Sequence, residues 1–243
     1  MVALIRLPVI GLYFILINII LMAVCIVRPF HRNNVYVAGK LYSSISRLFG
    51  LKLVFRRDES VKHNSPYVFI GNHQNSFDIF TICGAAMPGT VTIGKKSLIW
   101  IPIFGWVYWL SGNILIDRKN SNKARGTLNI AARKIRERKL SVWMFPEGTR
   151  SYGRGLLPFK SGAFKLAELT QEPVVMICAS RLHQKIKWNR WNNGTLLVDI
   201  LPPVKMDDSK TSKEWTQYFH QQMQTRIAQL DEEVKQLDAH LKH

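Results

Sequence analysis

YVFIGNHQNSFDIF, residues 67–80, runs from an unbroken apolar stretch into a polar turn and out again into apolar residues. Tyr67 to Gly71 reads as a buried strand, and His73 and Asp78 follow where such a strand ends. Beyond residue 50 the same alternation recurs. Short apolar runs at 51–55, 90–94, 113–116, 141–145, 174–179 and 196–201 are separated by helical stretches near 78–86, 97–109, 121–138 and 161–169. That pattern predicts an α/β domain with a mostly parallel central sheet and flanking helices. No repeat or low-complexity segment interrupts it.

The chain of 243 residues can bury a core without staples. Cys25, Cys83 and Cys178 sit in apolar contexts without CxxC or His-rich spacing, which argues against a disulfide framework and a zinc site. Thirty-four basic against 16 acidic residues leave a net charge of +18, so the partner is anionic: nucleic acid, a phospholipid surface or a phosphorylated substrate.

The N-terminus chooses among these. Residues 8–27, PVIGLYFILINIILMAVCIV, carry no charge and as a helix reach about 30 Å, the thickness of a bilayer core. A cleaved signal peptide fits less well, because the run is long for an h-region and no A-x-A site follows. Residues 35–50 place Val37, Leu41, Ile45 and Leu48 at helical spacing, suited either to a headgroup surface or to an ordinary core. Residues 1–50 are therefore expected to form a membrane-anchoring helical segment, as a span or as a helical pair sunk in one leaflet. Residues 51–243 form the α/β domain. It closes with an amphipathic helix over 215–241 whose stripe of Phe219, Met223, Ile227, Leu230, Val234, Leu237 and Leu241 is expected to pack on its own domain.

Polar residues gather after the strands: Asn72 and His73, Lys95 and Lys96, Asp117 and Arg118, and Glu147 to Arg150. Ligands of open α/β sheets sit at the carboxyl ends of strands, so these groups can converge on one site. Five residues apart, His73 and Asp78 would stand about 140° apart on a continuous helix. They meet if His73 lies in the turn and Asp78 opens the next helix. A carboxylate then orients the imidazole, and the second ring nitrogen acts as general base. Singly, each has an ordinary reading, as a loop histidine and a helix cap. No G-x-S-x-G elbow or neighbouring cysteine offers a nucleophile, so the base would activate a substrate hydroxyl for attack on an electrophile such as a thioester.

NHQNSFD (72–78), GNILIDR (112–118) and FPEGTRS (145–151), in that order, resemble three blocks of the glycerolipid acyltransferase family. IGKKSL (93–98) and LLPFKSGAF (156–164) are similar to its bacterial members that act on 1-acylglycerol 3-phosphate. The resemblance runs through nearly the whole chain and is least distinctive beyond about residue 205. It implies transfer of an acyl group from coenzyme A (acyl-CoA) or acyl carrier protein (acyl-ACP) to the 2-hydroxyl of lysophosphatidic acid, or alternatively to another lysophospholipid or glycerol 3-phosphate, with His73 and Asp78 as general base and orienter and with no cofactor or metal. It also implies a bacterial inner-membrane protein whose site faces the cytoplasm.

For the substrate phosphate the matching block offers Glu147, Gly148, Thr149 and Arg150, with Arg118 from the second block. Arg118 and Arg150 are planar forks suited to phosphate, and Gly148 permits close backbone approach. Glu147 either holds an arginine, accepts from the glycerol backbone, or pairs with Arg150 in a surface turn. Lys95, Lys96 and Lys160 are candidates for the phosphate or for the thioester oxyanion, against a reading as solvated surface. EPVVMI (172–177) departs from the family's V-P-x-x-P block by carrying Met176, a difference that bears on pocket shape.

Residues 117–154 hold eleven Lys or Arg and three Asp or Glu, a basic face suited to an anionic leaflet or an acidic donor. A membrane-tethered nucleic-acid binder would share the charge. Yet no recognition motif is present, and the tryptophans of IWIPIFGWVYWL sit among apolar residues, as core, lipid contact or the wall of an acyl groove. No nucleic-acid partner is expected.

Overall fold

Parallel strands must be joined by crossovers, and crossovers cover both faces of the sheet; this is why the strands read as continuous apolar runs. In the computed structural model, residues 1–63, 65–116 and 121–240 are described, without the side chains of residues 121–125 and 240. The elements are α1 (Val2–Val27), α2 (Asn34–Ser44), β1 (Lys52–Arg57), β2 (Val68–Gly71), β3 (Thr90–Lys95), α3 (Phe104–Leu110), β4 (Ile114–Ile116), α4 (Ser121–Arg138), β5 (Ser141–Met144), α5 (Gly162–Thr170), β6 (Val174–Ala179), β7 (Thr195–Ile200) and α6 (Ser212–His240). All seven expected strands form one sheet, in the order β1-β7-β6-β2-β5-β3-β4. From β6 to β4 every pairing is parallel; β7 runs antiparallel to β6, and β1 runs parallel to β7. The carboxyl ends of five strands therefore lie along one edge.

Alternate residues feed two cores. Val68, Ile70, Val142, Val174 and Met176 pack against α4, α5 and α6. Phe69, Trp143, Val175 and Ile177 face the side covered by α1 and α2. The expected inward residues of α4, Ala131, Ala132 and Ile135, are buried, with Leu128 packed beside them. Likewise α6 buries Phe219, Met223, Leu230 and Val234 in its own domain; Leu237 stays exposed, and Leu241 lies outside the described residues. On α2, Ile45 and its neighbours Val37 and Leu41 join the second core, so of its two readings packing prevails.

Several helix boundaries differ from the sequence reading. The stretch 78–86 forms two 3₁₀ turns, Ser76–Phe80 and Ile82–Ala85. They are short because Asn75 and Asp78 cap the first and Thr81 breaks the chain direction between them. The stretch 97–109 is split into a 3₁₀ turn, Lys96–Trp100, and α3. Pro102 cannot donate and holds Ile101 in extended geometry. Nor is α3 a buried helix, since Trp106 and Trp109 are exposed, as is Trp100 before it. The last helix starts at Ser212, where Thr211 and Glu214 form a reciprocal capping box.

The first helix begins at Val2, six residues before the uncharged run, because Arg6 is satisfied within the protein. Its guanidinium donates to the carbonyls of Trp188 (3.1 Å) and Trp191 (3.2 Å). Further along, Tyr13 bonds to Ser44 (3.0 Å), and Asn18 accepts from the Tyr42 hydroxyl (2.9 Å). Near the end Cys25 meets Ser111. The helix is long and apolar enough to cross a membrane, yet it is tied to the α/β domain near its two ends and to α2 between them.

Between β7 and α6 lies a buried carboxylate, Asp199, that accepts from Arg56 (2.6 Å) and Arg226 (2.5 Å). It joins the β1–β7 edge to the last helix. Asp199→Ala leaves Arg56 and Arg226 with Glu233 as their remaining carboxylate partner and should lower unfolding free energy by about 2 kcal/mol, measured by urea denaturation in detergent.

Candidate active site

The chain leaves β2 with Asn72, His73 and Gln74, and the two-residue period of a strand sends the flanking amides to one side and the imidazole to the other. Asn72 exchanges two bonds with Ala179 at the end of β6, each 2.9 Å. Gln74 donates to Ser180 O (2.7 Å) and accepts from Leu182 N (2.7 Å). His73 is thus held between two side chains bolted to the neighbouring strand. The alternation in N-H-Q is a sequence signal for this, although the sequence gives no partner.

Below the imidazole, Phe145 stacks at 4.1 Å between centroids, inclined by 14°. Gly71 makes room: a Cβ there would lie 3.1 Å from Trp143 Nε1 and 3.3 Å from the Phe145 ring. The indole N–H of Trp143 is buried with no hydrogen-bond partner among the described residues.

Asp78 closes the turn. Its Oδ2 lies 2.6 Å from His73 Nδ1 and accepts from the amides of Gln74 (2.7 Å) and Asn75 (3.2 Å). In return the Asn75 side chain accepts from Phe77 N, completing a capping box. Because an ionised carboxylate only accepts, Nδ1 carries the proton, and Nε2 is left with its lone pair. His73 is partly exposed while Asp78 is buried. A base open to a substrate, with a shielded orienter behind it, is the arrangement that proton abstraction needs.

Glu147 follows β5 and is buried, 3% exposed. One oxygen accepts from His73 N (2.6 Å) and the other from Leu157 N (2.9 Å). Of the readings offered by the sequence, the surface pair with Arg150 does not form. Glu147 instead fixes the backbone on which His73 is carried. Burial pushes its carboxyl above the usual carboxylate range, while the two amide donors pull the other way.

The rest of the third block wraps around this point. Gly148 is at φ +70, and the Lys160 side chain crosses it, with Nζ 2.9 Å from where a Cβ would stand. Thr149 is exposed and Arg150 half-buried. The following residues return to the dyad, Ser151 N to His73 O (2.9 Å) and Tyr152 N to Gln74 O (2.8 Å). Lys95 ends β3 and Lys96 opens the turn after it, two strands from β2, or about 10 Å across the sheet. Both are exposed, and no hydrogen bond among the described residues joins them to the dyad. Arg118 lies outside the described residues. Met176 faces the α5–α6 core, away from His73.

Two recesses flank the catalytic turn. One of about 150 Å³ is lined by Asn72, Gln74, Glu147, Leu156, Ile227 and Asp231, on the α6 side. The other, of about 250 Å³, is lined by Asn75, Ser76, Phe77, Tyr152 and His183. Sequence reasoning missed Gln74, Phe145 and Tyr152; their roles come from contacts with residues distant in the chain or from stacking that no motif encodes.

Comparison with known proteins follows this geometry. Residues 52–180 match the family model described as Acyltransferase. The chain is 41% identical over 236 residues to the 1-acyl-sn-glycerol-3-phosphate acyltransferase of Salmonella typhimurium, covering 96% of each. With that of Haemophilus influenzae it shares 45% identity over 204 residues, 83% of this chain and 85% of the relative. With that of Escherichia coli it shares 40% over 236 residues, 96% of each. The crystal structure of the acyltransferase PlsC from Thermotoga maritima superposes with a TM-score of 0.69 at 20% identity, over 94% of this chain and 97% of that one, which shows a shared fold.

Glu147→Gln places an N–H donor against one of the two amides and should lower kcat by about tenfold or more through misplacement of His73. The carboxyl is raised in the folded state, so folding takes up its proton at a higher pH than the unfolded chain does. Wild type should therefore gain stability relative to Glu147→Gln as pH falls from 7 toward 4, measured by paired urea titrations.

Proposed function

The chain belongs to the acyltransferase family, and we propose that it transfers a fatty acyl group from the thioester of coenzyme A or acyl carrier protein to the 2-hydroxyl of 1-acylglycerol 3-phosphate, giving phosphatidic acid. The observation that carries this reading is the dyad itself, with Nδ1 of His73 committed to Asp78 at 2.6 Å. The relatives act on that acceptor by name, and the chain matches two of them over 96% of their length.

The acceptor hydroxyl gives its proton to Nε2 of His73 as its oxygen attacks the thioester carbonyl. Asp78 stabilises the imidazolium that results. The tetrahedral intermediate collapses with cleavage of the C–S bond, and the leaving thiolate takes the proton back from Nε2. An ester bond has replaced a thioester bond, and no acyl group has resided on the protein. Arg150 holds the acceptor's phosphate beside the dyad, joined by Arg118 from the second block. Lys160, lying over Gly148, serves the phosphate or the oxyanion. Glu147 acts through the His73 backbone rather than on the substrate.

The acceptor and product are membrane lipids, and α1 supplies the means of reaching them. Spanning a bilayer would carry its 26 residues, about 39 Å, away from the α/β domain that it contacts at Arg6 and Cys25 and from α2, which it contacts at Tyr13 and Asn18. Lying side-on in one leaflet keeps those contacts and buries its exposed residues, such as Leu4, Leu12, Ile19 and Val27. Trp188 and Trp191 flank its first turns, and Trp100, Trp106 and Trp109 its far end, in the positions that suit the headgroup boundary. Residues 1–50 then act as an anchor that holds the site at the inner leaflet of a bacterial inner membrane, on the cytoplasmic side where thioesters are made.

Purified protein given 1-acylglycerol 3-phosphate and an acyl thioester should release thiol and form phosphatidic acid. His73→Ala should lower kcat by about 10³ or more while remaining folded and vesicle-bound. Activity with a different lysophospholipid alone would reassign the acceptor, and equal rates in both proteins would end the proposed mechanism. For the anchor, a cysteine added ahead of Met1 and His31→Cys just beyond the end of α1 should both react with an impermeant maleimide added to the same side of sealed proteoliposomes. Labelling from opposite sides would mean a span.

A further inference from the structure

Tyr152 stands in the left-handed region, at φ +48, without being glycine. A ring-bearing side chain disfavours that conformation, which persists only where its surroundings over-determine it. Here they do. Tyr152 N is held by Gln74 O and Ser151 N by His73 O, at 2.8 and 2.9 Å. The Arg154 guanidinium donates to the carbonyls of Ser151 and Arg150, which tightens the same turn. Gly153 follows at φ +87, and the His183 ring fills the place its Cβ would take.

What this turn achieves is direction. The phenol is thrown over the recess lined by Asn75, Ser76, Phe77 and His183. Its hydroxyl oxygen accepts from Arg150 Nη1 at 3.2 Å. The bond from Arg150, with Ser76 beside it, draws the phenol's pKa below its ordinary value.

We propose that Tyr152 is a positioning residue for acceptor recognition, aiming the Arg150 guanidinium at the phosphate of the lipid beside His73. This rests on the reading of Arg150 as the phosphate-binding group. A long cation left to itself samples many rotamers and loses that freedom when it binds. A carboxylate partner would hold it but would also offset the charge that the phosphate needs. A phenol oxygen holds one N–H and leaves the charge intact, with the remaining donors of the fork turned to the ligand. Because the phenol is fixed through the same amides that fix His73 and Gln74, phosphate and base are set on one frame.

The test is a double-mutant cycle on purified protein in detergent, with KM measured separately for 1-acylglycerol 3-phosphate and for the acyl thioester. Tyr152→Phe keeps the ring and removes the hydroxyl. It should raise the acceptor KM about five- to tenfold, the order of one net hydrogen bond at an exposed site, with the thioester KM, kcat and thermal midpoint unchanged. In an Arg150→Ala background the same substitution should add nothing. A further loss of the same factor in that background, a fall in kcat with both KM values intact, or no change at all would overturn the role of Tyr152. A wild type that turns over no lysophosphatidic acid would instead remove the reading on which it rests, so the two failures are distinguishable.

Discussion

One carboxylate oxygen, Asp78 Oδ2, gathers the imidazole of His73 and the amides of Gln74 and Asn75 within hydrogen-bond reach. Those three donors stabilise a buried negative charge that would otherwise be costly. They also fold the chain sharply after β2, so that a segment leaving the sheet turns under its own next helix. The turn that shapes the fold and the tautomer that shapes the chemistry thus have a common cause. From it follow the placement of His73 over Phe145, the exit of Asn72 and Gln74 toward β6, and the return of Ser151 and Tyr152 along the same backbone.

A second carboxylate works from the opposite side. Glu147 is buried against the amides of His73 and Leu157, so the segment carrying His73 is gripped by one acid at its side chain and another at its main chain. Both acids come from carboxyl ends of adjacent parallel strands, β2 and β5. Parallel pairing is what places them there. An antiparallel neighbour would have sent one of the two to the far edge.

The strands were legible because the sheet is covered on both faces, so each strand is written as an apolar run with little ambiguity of period. Helix ends were less so. Pro102 stands within a run that is apolar throughout and splits it. The Thr211–Glu214 capping box is written in the sequence, but the apolar stripe that marks the helix starts later. His73 and Asp78 could be paired from spacing alone, since the geometry of a turn makes five residues a short distance. Glu147 could not be placed that way: its partners are the backbone of residue 73, far away in the chain, and that of residue 157. Its neighbour Arg150 offered a local partner that burial rules out. Tyr152 gave no signal, because a left-handed tyrosine is a fact of tertiary restraint.

The grip on Arg6 has a consequence in time. Its two carbonyl acceptors belong to residues 182 and 185 positions further along the chain. At about 5–20 residues per second, roughly 10–40 s separate the synthesis of this arginine from that of its partners. During that interval α1 is a free apolar helix with an unsatisfied cation near its start, and a lipid interface is where such a helix can wait. On the anchoring proposed above, the order of manufacture brings α1 to lipid before there is a folded domain to deliver, and the finished domain closes onto a helix already in place.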